Sequence, residues 1–274
     1  MRTIVRTANI LGEGSAVSNA TADSGEFIQS LERGLAVLSV FGEAHPSLTL
    51  SEAAVLTGLS RATARRILHT FVALGYVRFD GKNFEPTPKV LDLGYAYLSS
   101  LQLGDIALPS MEALSEKVHE SVSLGVLDGH QIVYVARVPT TRIMSISLAL
   151  GSRLPAHCTS LGRVLLAGLA PDELSTFLQS AQLTARTERT ITSVDVLAER
   201  IAETARLGYA IVDEELEDGV RSLAVPIRDR AGRVVAALNV GTQVGRVSMK
   251  QLRDEFLPLL LEAAAEVSNR LAKR

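Results

Sequence analysis

The stretch LTLSEAAVLTGLSRATARRILHTFVALG, Leu48 to Gly75, indicates two short helices joined by a tight turn. Thr49 is followed three residues later by Glu52, which is the spacing of a capping box at a helix start. A first helix is therefore predicted from about Leu50 to Thr57. Gly58 should end it, because glycine suits the residue just past a helix C-terminus.

The second predicted helix, capped by Ser60, has two different faces. Its apolar residues recur at helical spacing and should face a core; they are Ala64, Ile67, Leu68, Phe71 and Val72. The other face is basic, which suits a helix in the DNA major groove, where arginine can pair with guanine and alanine permits close approach. The predicted DNA contacts on this helix are Ser60, Arg61, Ala62, Thr63, Arg65 and Arg66.

Two short alternating runs around Asp80-Gly81 follow the helices and predict a β-hairpin. Helix, helix and hairpin in this order indicate a winged helix-turn-helix, with Arg78 and Lys82 of the wing contacting phosphates. The alternative is a small helical subdomain whose basic face is merely solvated. Each signal is weak alone, and their order favours DNA binding.

The whole chain has 274 residues, a net charge of −2 and one cysteine. This length predicts two domains, and the nearly neutral charge confines any DNA contact to one of them. A single cysteine excludes an intramolecular disulfide framework. Neither a signal peptide nor a long apolar span is evident, so we expect a cytoplasmic protein without a membrane segment.

Composition and helix signals divide the chain into four parts. They are a disordered leader, 1–25; the winged helix-turn-helix domain, 26–86; a linker helix, 87–104; and a second domain, 105–274. A helix beginning near Phe27 should support the other two helices through one apolar side. That side consists of Ile28, Leu31, Leu35, Leu38 and Phe41.

The second domain has the pattern of an antiparallel sheet. The runs SVSLGVL and QIVYVARV flank Asp128-Gly129 and predict a hairpin, and Ile143 to Leu148 is a predicted third strand. Three predicted helices and then three further predicted strands follow, and a C-terminal helix from Met249 is expected to be interrupted at Pro258. We predict an α+β fold with helices at the ends and on one face of the sheet, rather than a parallel nucleotide-binding fold.

No enzymatic or metal-binding constellation is apparent in the sequence. Cys158 adjoins His157, but neighbours in sequence do not make a nucleophile and base, and no phosphate-binding loop is present. The five histidines share no ligand spacing. We therefore predict no catalytic residue, metal site or cofactor. A redox sensor using Cys158 would lack a resolving thiol.

The segment LPAHCTSLGR, 154–163, is a candidate anion site. It brings backbone N–H groups and the hydroxyls of Thr159 and Ser160 to a helix N-terminus, where a carboxylate would fit. The helix dipole is worth only about 0.3–1 kcal/mol when exposed, so hydrogen bonds and an apolar pocket must supply the rest. The alternative is an ordinary helix cap.

These segments resemble the isocitrate-lyase-regulator (IclR) family of bacterial transcription regulators. The resemblance rests on FIQSLERGLAVLSVFGEAHPSLTLSEAAVLTGLSRATARRIL, LGYAYLSSL, GSRLPAHCTSLGRVLLA and GYAIVDEELEDGVRSLAVPI, and it extends over nearly the whole chain from Phe27. Within the family the sequence is most similar to the PcaR, PcaU and PobR branch, whose members regulate aromatic-acid breakdown through protocatechuate and β-ketoadipate. The family resemblance implies a homodimer or tetramer on palindromic double-stranded DNA.

The resemblance also implies a GAF/profilin-like effector-binding domain for a small carboxylic acid of the protocatechuate, 4-hydroxybenzoate or β-ketoadipate class. Another small organic acid is the alternative effector. Carried over by position, the effector site would consist of Met144, Leu150, Cys158, Thr159, Ser160, Leu161, Gly162, Asp213, Glu215, Ser222 and Asn239. A polar group in an apolar strand costs roughly 1–3 kcal/mol when unpaired, so ligand or water should satisfy those that point inward.

Overall fold

The computed structural model describes residues 27–42, 44–94, 103–140 and 148–273. The chain divides into two compact units between residues 96 and 97. The predicted leader, residues 95–102 of the predicted linker helix and nearly all of the predicted third strand therefore lie outside the described residues.

The first unit is a winged helix-turn-helix, as predicted. Its elements are α1 Gln29–Ser39, β1 Leu48–Thr49, α2 Leu50–Thr57, α3 Arg61–Leu74, β2 Val77–Phe79 and β3 Asn83–Pro86. The strands form an antiparallel sheet in the order β1-β3-β2. A 3₁₀ turn at Pro88–Val90 follows, capped by the Thr87 hydroxyl.

Local hydrogen bonds explain where α2 and α3 begin and end. The backbone N–H of Glu52 donates to Thr49 Oγ1 at 3.3 Å, and the Glu52 carboxylate accepts from the Thr49 N–H at 2.8 Å, which completes the predicted capping box. Gly58 ends α2 in the left-handed conformation, with φ of +66°. Ser60 Oγ then accepts from the Thr63 N–H at 3.2 Å. The helix bounds thus follow from short sequence signals.

The core of the first unit confirms the predicted apolar stripe of α3 but not that of α1. Ala64 and Leu68 are fully buried, whereas Leu31 and Leu35 of α1 are 59% and 52% exposed. The buried residue of α1 is Val37, which lies two positions beyond Leu35 and so roughly 200° around the helix. Only Leu38 and Phe41 of the predicted side pack against the core.

In its described residues, the second unit is built on a six-stranded antiparallel sheet in the order β6-β5-β4-β9-β8-β7. Its strands are β4 Ser121–Asp128, β5 Gln131–Val138, β6 Arg153–Pro155, β7 Ala210–Asp213, β8 Val220–Arg228 and β9 Val234–Gln243. Its helices are α4 Leu103–Val118, α5 Ser160–Ala167, α6 Pro171–Ser180, α7 Val194–Leu207, α8 Met249–Gln251 and α9 Leu257–Ala272. The hairpin at Asp128-Gly129 is confirmed, and β6 is a short strand in a segment predicted to be a loop.

Helices cover both faces of this sheet, so the prediction of helices on one face was wrong. Leu223, Val225 and Ile227 of β8 share a core cluster with α4 and α9, whereas Ala224 shares a different cluster with α5 and α7. Alternating side chains of a strand point to opposite faces, and apolar residues at consecutive positions need cover on both. The C-terminal helical segment is interrupted by a π turn at Leu252–Phe256, just before Pro258.

Candidate DNA-reading surface and ligand cavity

The outer face of α3 presents the predicted cations to solvent. Arg61, Ala62, Arg65 and Arg66 are all exposed, and the opposite side of the helix is held in the core by Ala64 and Leu68. Ser60 and Thr63 belong to the cap, since their hydroxyl oxygens lie 2.9 Å apart. The helix start is thus fixed by its own residues, and the arginines project from a rigid element.

The two predicted DNA contacts of the wing have different surroundings. Arg78 forms an ion pair with Glu85 on the neighbouring strand, while Lys82 lies exposed in the turn. The Asp80 carboxylate shapes that turn by accepting hydrogen bonds from the N–H groups of Lys82 at 2.8 Å and Asn83 at 2.7 Å. Arg78 would therefore have to share its charge between Glu85 and a phosphate.

A cavity opens in the second unit on the sheet face covered by α5. It has about 740 Å³ of atom-free space, a volume that includes open solvent at its mouth. Of the predicted effector residues, those that line it are Cys158, Thr159, Ser160, Ser222 and Asn239. The structure thus brings these five residues, from the start of α5 and from β8 and β9, together at one cavity.

Two polar atoms in the cavity wall have no hydrogen-bond partner among the described residues. They are Ser160 Oγ, in a completely buried residue, and Asn239 Oδ1, in a residue that is 8% exposed. Thr159, by contrast, is satisfied: its hydroxyl donates to Pro155 O at 3.2 Å and accepts from the Gly162 N–H at 3.1 Å. Buried polar groups are normally paired, so Ser160 and Asn239 are positions where a bound molecule can complete the hydrogen bonding.

The cavity also contains residues that the sequence did not reveal, including Tyr134 and Arg137 of β5. Burial raises the pKa of Tyr134 to about 12, so its hydroxyl stays protonated at neutral pH. Burial lowers the pKa of Arg137, which nevertheless stays charged and gives the cavity a cation. The register of β4 and β5 shifts between Leu124 and Gly125, and this bulge places both residues on one face.

Other predicted effector residues do not line this cavity. Leu150 is 59% exposed, and Leu161 is fully buried in the core beneath α5. The carboxylate of Asp213 accepts from Arg221 Nε at 2.7 Å, and that of Glu215 accepts from Arg163 Nη2 at 2.6 Å. Both carboxylates are thus paired with arginines. Met144 lies outside the described residues.

Gly162 has a packing role rather than a place in the cavity wall. A Cβ atom there would lie 2.0 Å from Ala156 O, so only glycine lets the loop before α5 pack against the first turn of the helix. This close approach holds Cys158 and Ser160 at the cavity.

Cys158 is fully buried, and burial is the main cause that raises its thiol pKa to about 12. A thiol that stays protonated at neutral pH is a weak nucleophile and forms an apolar wall. Within the described ranges, no three His, Cys, Asp or Glu side chains are arranged to hold a metal ion. None of the described helices is long and apolar enough to cross a bilayer.

A winged helix-turn-helix with an exposed arginine face, followed by a sheet domain with a partly polar cavity, defines a DNA-binding regulator with an effector-binding domain. Two family models agree: the IclR helix-turn-helix domain matches residues 30–81, and the bacterial transcriptional regulator IclR C-terminal domain matches residues 95–269. The chain belongs to the IclR family of bacterial transcriptional regulators and is not an enzyme.

The chain is also similar to individual members of this family. The chain is 44% identical over 247 residues to the Pca regulon regulatory protein of Pseudomonas putida, covering 90% of this chain and 85% of that protein. A transcriptional regulator of known structure from Rhodococcus sp. RHA1 shares 49% identity at a TM-score of 0.81, over 90% and 99% of the two chains. An IclR homologue from Microbacterium hydrocarbonoxydans, solved with 4-hydroxybenzoate, shares 26% identity at a TM-score of 0.79, over 88% and 98%.

Proposed function

We propose that this regulator controls genes of aromatic-acid catabolism and responds to a small aromatic or dicarboxylic acid bound in the cavity of its second unit. The observation that carries the proposal is the pair of unpartnered buried atoms, Ser160 Oγ and Asn239 Oδ1, in the wall of a cavity that also contains Arg137. The Ser160 hydroxyl can donate to a carboxylate oxygen of an acid, and Asn239 Oδ1 can accept from a hydroxyl group of the same molecule.

The first unit supports operator binding through α3. Arg61, Arg65 and Arg66 project from a helix whose other side is anchored in a core, which is how recognition helices are held in the major groove. We propose that a homodimer or tetramer places two such helices on a palindromic operator, with centres about 34 Å apart. Operator binding places the protein in the cytoplasm.

The second unit supports recognition of a carboxylate. The N-terminus of α5 carries the positive end of the helix dipole, and Ser160 and the Arg137 cation lie on the cavity wall with it. Leu148, Leu154 and Val212 give the same cavity apolar surface for a ring or an alkyl chain. The Pca regulon regulator of Pseudomonas putida and the 4-hydroxybenzoate complex of the Microbacterium homologue support this effector class.

Two titrations test the proposal. Purified protein is titrated calorimetrically with 4-hydroxybenzoate, protocatechuate and β-ketoadipate. Cyclohexane carboxylate, which has no aromatic ring, and phenol, which has no carboxylate, are the controls. Fluorescence anisotropy then measures binding to promoter fragments from around its own gene, with and without the acid that binds. We expect one of the three acids to bind and to change the operator affinity. Heat changes no larger than those of the controls would reject the effector class.

A further inference from the structure

A short segment between β7 and β8, Glu214 to Gly219, forms part of the cavity mouth and is called the rim segment here. Leu216 and Glu217 line the cavity, whereas the neighbouring Glu215 side chain points away from it toward Arg163 of α5. The rim segment therefore has one side on the cavity and one side on a buried ion pair.

The ion pair joins the rim segment to the helix at the other side of the cavity. Arg163 Nη2 donates to Glu215 Oε2 at 2.6 Å, and the two side chains are only 4% and 11% exposed. Arg163 Nε also donates to His157 O at 2.8 Å, in the loop that leads to Cys158. One guanidinium thus fixes the rim segment and the loop before α5 at the same time, and neither charged side chain lines the cavity.

A threonine pair holds the backbone of the rim segment. Thr190 Oγ1 donates to Glu215 O at 2.6 Å, and Thr187 Oγ1 donates to Glu214 O at 2.6 Å. Glu214 has a φ of +59°, a conformation that residues other than glycine rarely adopt. Such a backbone persists when its surroundings fix it, and these two hydroxyls, with the ion pair, do so.

We propose that Arg163, Glu215 and Thr190 are positioning residues that hold the rim segment closed over the cavity and set the rates at which the effector enters and leaves. They do so without contacting the effector. The part that concerns the effector rests on the proposed function; closure of the rim segment does not.

Cys158 provides a reporter of closure that needs no effector. It is the single cysteine of the chain, it is fully buried, and it lines the cavity behind the rim segment. A thiol reagent in excess labels it when the cavity opens. The Thr190→Val variant removes the donor to Glu215 O without changing any charge, and Glu215→Gln removes the charge of the ion pair.

Thr190 Oγ1 also accepts from the N–H groups of Arg186 and Thr187, each at 2.9 Å, so Thr190→Val removes more than one buried hydrogen bond from the closed state. We expect it to speed labelling by at least about tenfold, and Glu215→Gln by a similar factor. Thr190→Ser keeps the hydroxyl and should restore slow labelling. Asp254→Asn, which removes an exposed ion pair with Lys250, is the matched control and should label at the wild-type rate. Melting temperatures of all variants are recorded alongside.

The pH dependence of the labelling rate distinguishes faster opening of the cavity from a change in the thiol pKa of Cys158. The Glu215 charge contributes to the raised pKa of Cys158, so Glu215→Gln also shifts the labelling curve toward lower pH. Faster opening instead multiplies the rate equally at every pH, and Thr190→Val should show only this effect. Stopped-flow dissociation of 4-hydroxybenzoate should be faster in Thr190→Val by the same factor as labelling.

The outcomes distinguish the two proposals. Wild-type labelling rates in both Thr190→Val and Glu215→Gln would overturn the positioning role, whether or not the acid binds. Fast labelling in these variants with no binding of any tested acid to the wild type would retain the positioning role and reject the aromatic-acid effector instead.

Discussion

The His69 imidazole of α3 meets the Phe79 ring of the wing edge to face, with centroids 5.7 Å apart. His69 makes a second such contact with Phe84 at 5.6 Å, and Phe79 stacks on Phe84 at 4.4 Å. Aromatic pairs of this kind contribute about 0.5–1.5 kcal/mol beyond their buried area. The proposed DNA-reading helix and the wing are thus joined by a ring cluster, so the position of one sets that of the other.

Replacing His69 with alanine should loosen the wing and weaken operator binding severalfold, because Lys82 and Arg78 would no longer be held at a fixed distance from α3. Effector affinity should not change. Fluorescence anisotropy on operator DNA measures the first effect and calorimetry the second. His130→Ala is the matched control, since His130 packs against Phe177 in the other unit at 4.7 Å. Equal operator affinity of the two variants would contradict a role for the ring cluster.

Replacing Arg65 with alanine should weaken specific operator binding by about 1–3 kcal/mol if its guanidinium contacts a base edge. The change should be much smaller on DNA of scrambled sequence, because phosphate contacts carry no sequence information. Arg230→Ala, an exposed arginine in the turn between β8 and β9, is the control. A loss that is the same on both DNAs would make Arg65 a phosphate contact rather than a base reader.

Ser160→Ala should separate stability from binding. Its hydroxyl oxygen is buried without a partner, so its removal should leave the free energy of unfolding unchanged or raise it slightly. The affinity for the acid should fall by about 1–3 kcal/mol, since one hydrogen bond to the effector is lost. Urea denaturation and calorimetry measure the two quantities. A clear loss of stability without any loss of affinity would mean that Ser160 is structural.

Gly162→Ala should destabilise the second unit by more than about 2 kcal/mol, because the added methyl group would overlap the Ala156 carbonyl. The same change at Gly245, which has open space around it and no left-handed backbone, should be nearly neutral. Thermal unfolding followed by circular dichroism compares the two. Similar melting temperatures for both variants would show that the loop before α5 can move aside.

Stability should fall at alkaline pH. The folded pKa values of Cys158 and Tyr134 are both about 12, above the ordinary values of about 8.5 and about 10, so folding favours their neutral forms. That preference is fully present below the unfolded pKa and is lost as pH rises toward 12, by up to roughly 1.4 kcal/mol per pH unit for each group. Urea denaturation between about pH 8 and about pH 10.5 should show a steeper decline in the wild type than in Cys158→Ala.

Much of the first unit could be predicted because its signals are local. Thr49 with Glu52, Gly58, Ser60 and the Asp80-Gly81 turn each act within a few residues, and each fixes an element boundary. The orientation of α1 could not be predicted in the same way. Its sequence offers two apolar sides, and only packing against α3 selects the side with Val37.

Part of the cavity lining is visible in the sequence for a similar reason. Cys158, Thr159 and Ser160 are contiguous and stand at a helix start, a pattern that is visible in sequence. Asp213 and Glu215 were predicted as polar residues in an apolar region, but their partners, Arg221 and Arg163, are decided by the fold. The sequence shows that a carboxylate needs a partner, but it does not show which arginine will pair with it.

The sequence by itself determined the winged helix-turn-helix, the hairpin β4 to β5 and the start of α5, because caps, turns and alternation act over short distances. Only the tertiary structure decided that Arg137 shares the cavity with Tyr134. Simple alternation would put residues three apart on opposite faces of the sheet. The bulge in the β4 and β5 register puts these two residues on the same face instead. Such a bulge exists only when two strands pair, so the charge of the cavity is a property of the fold.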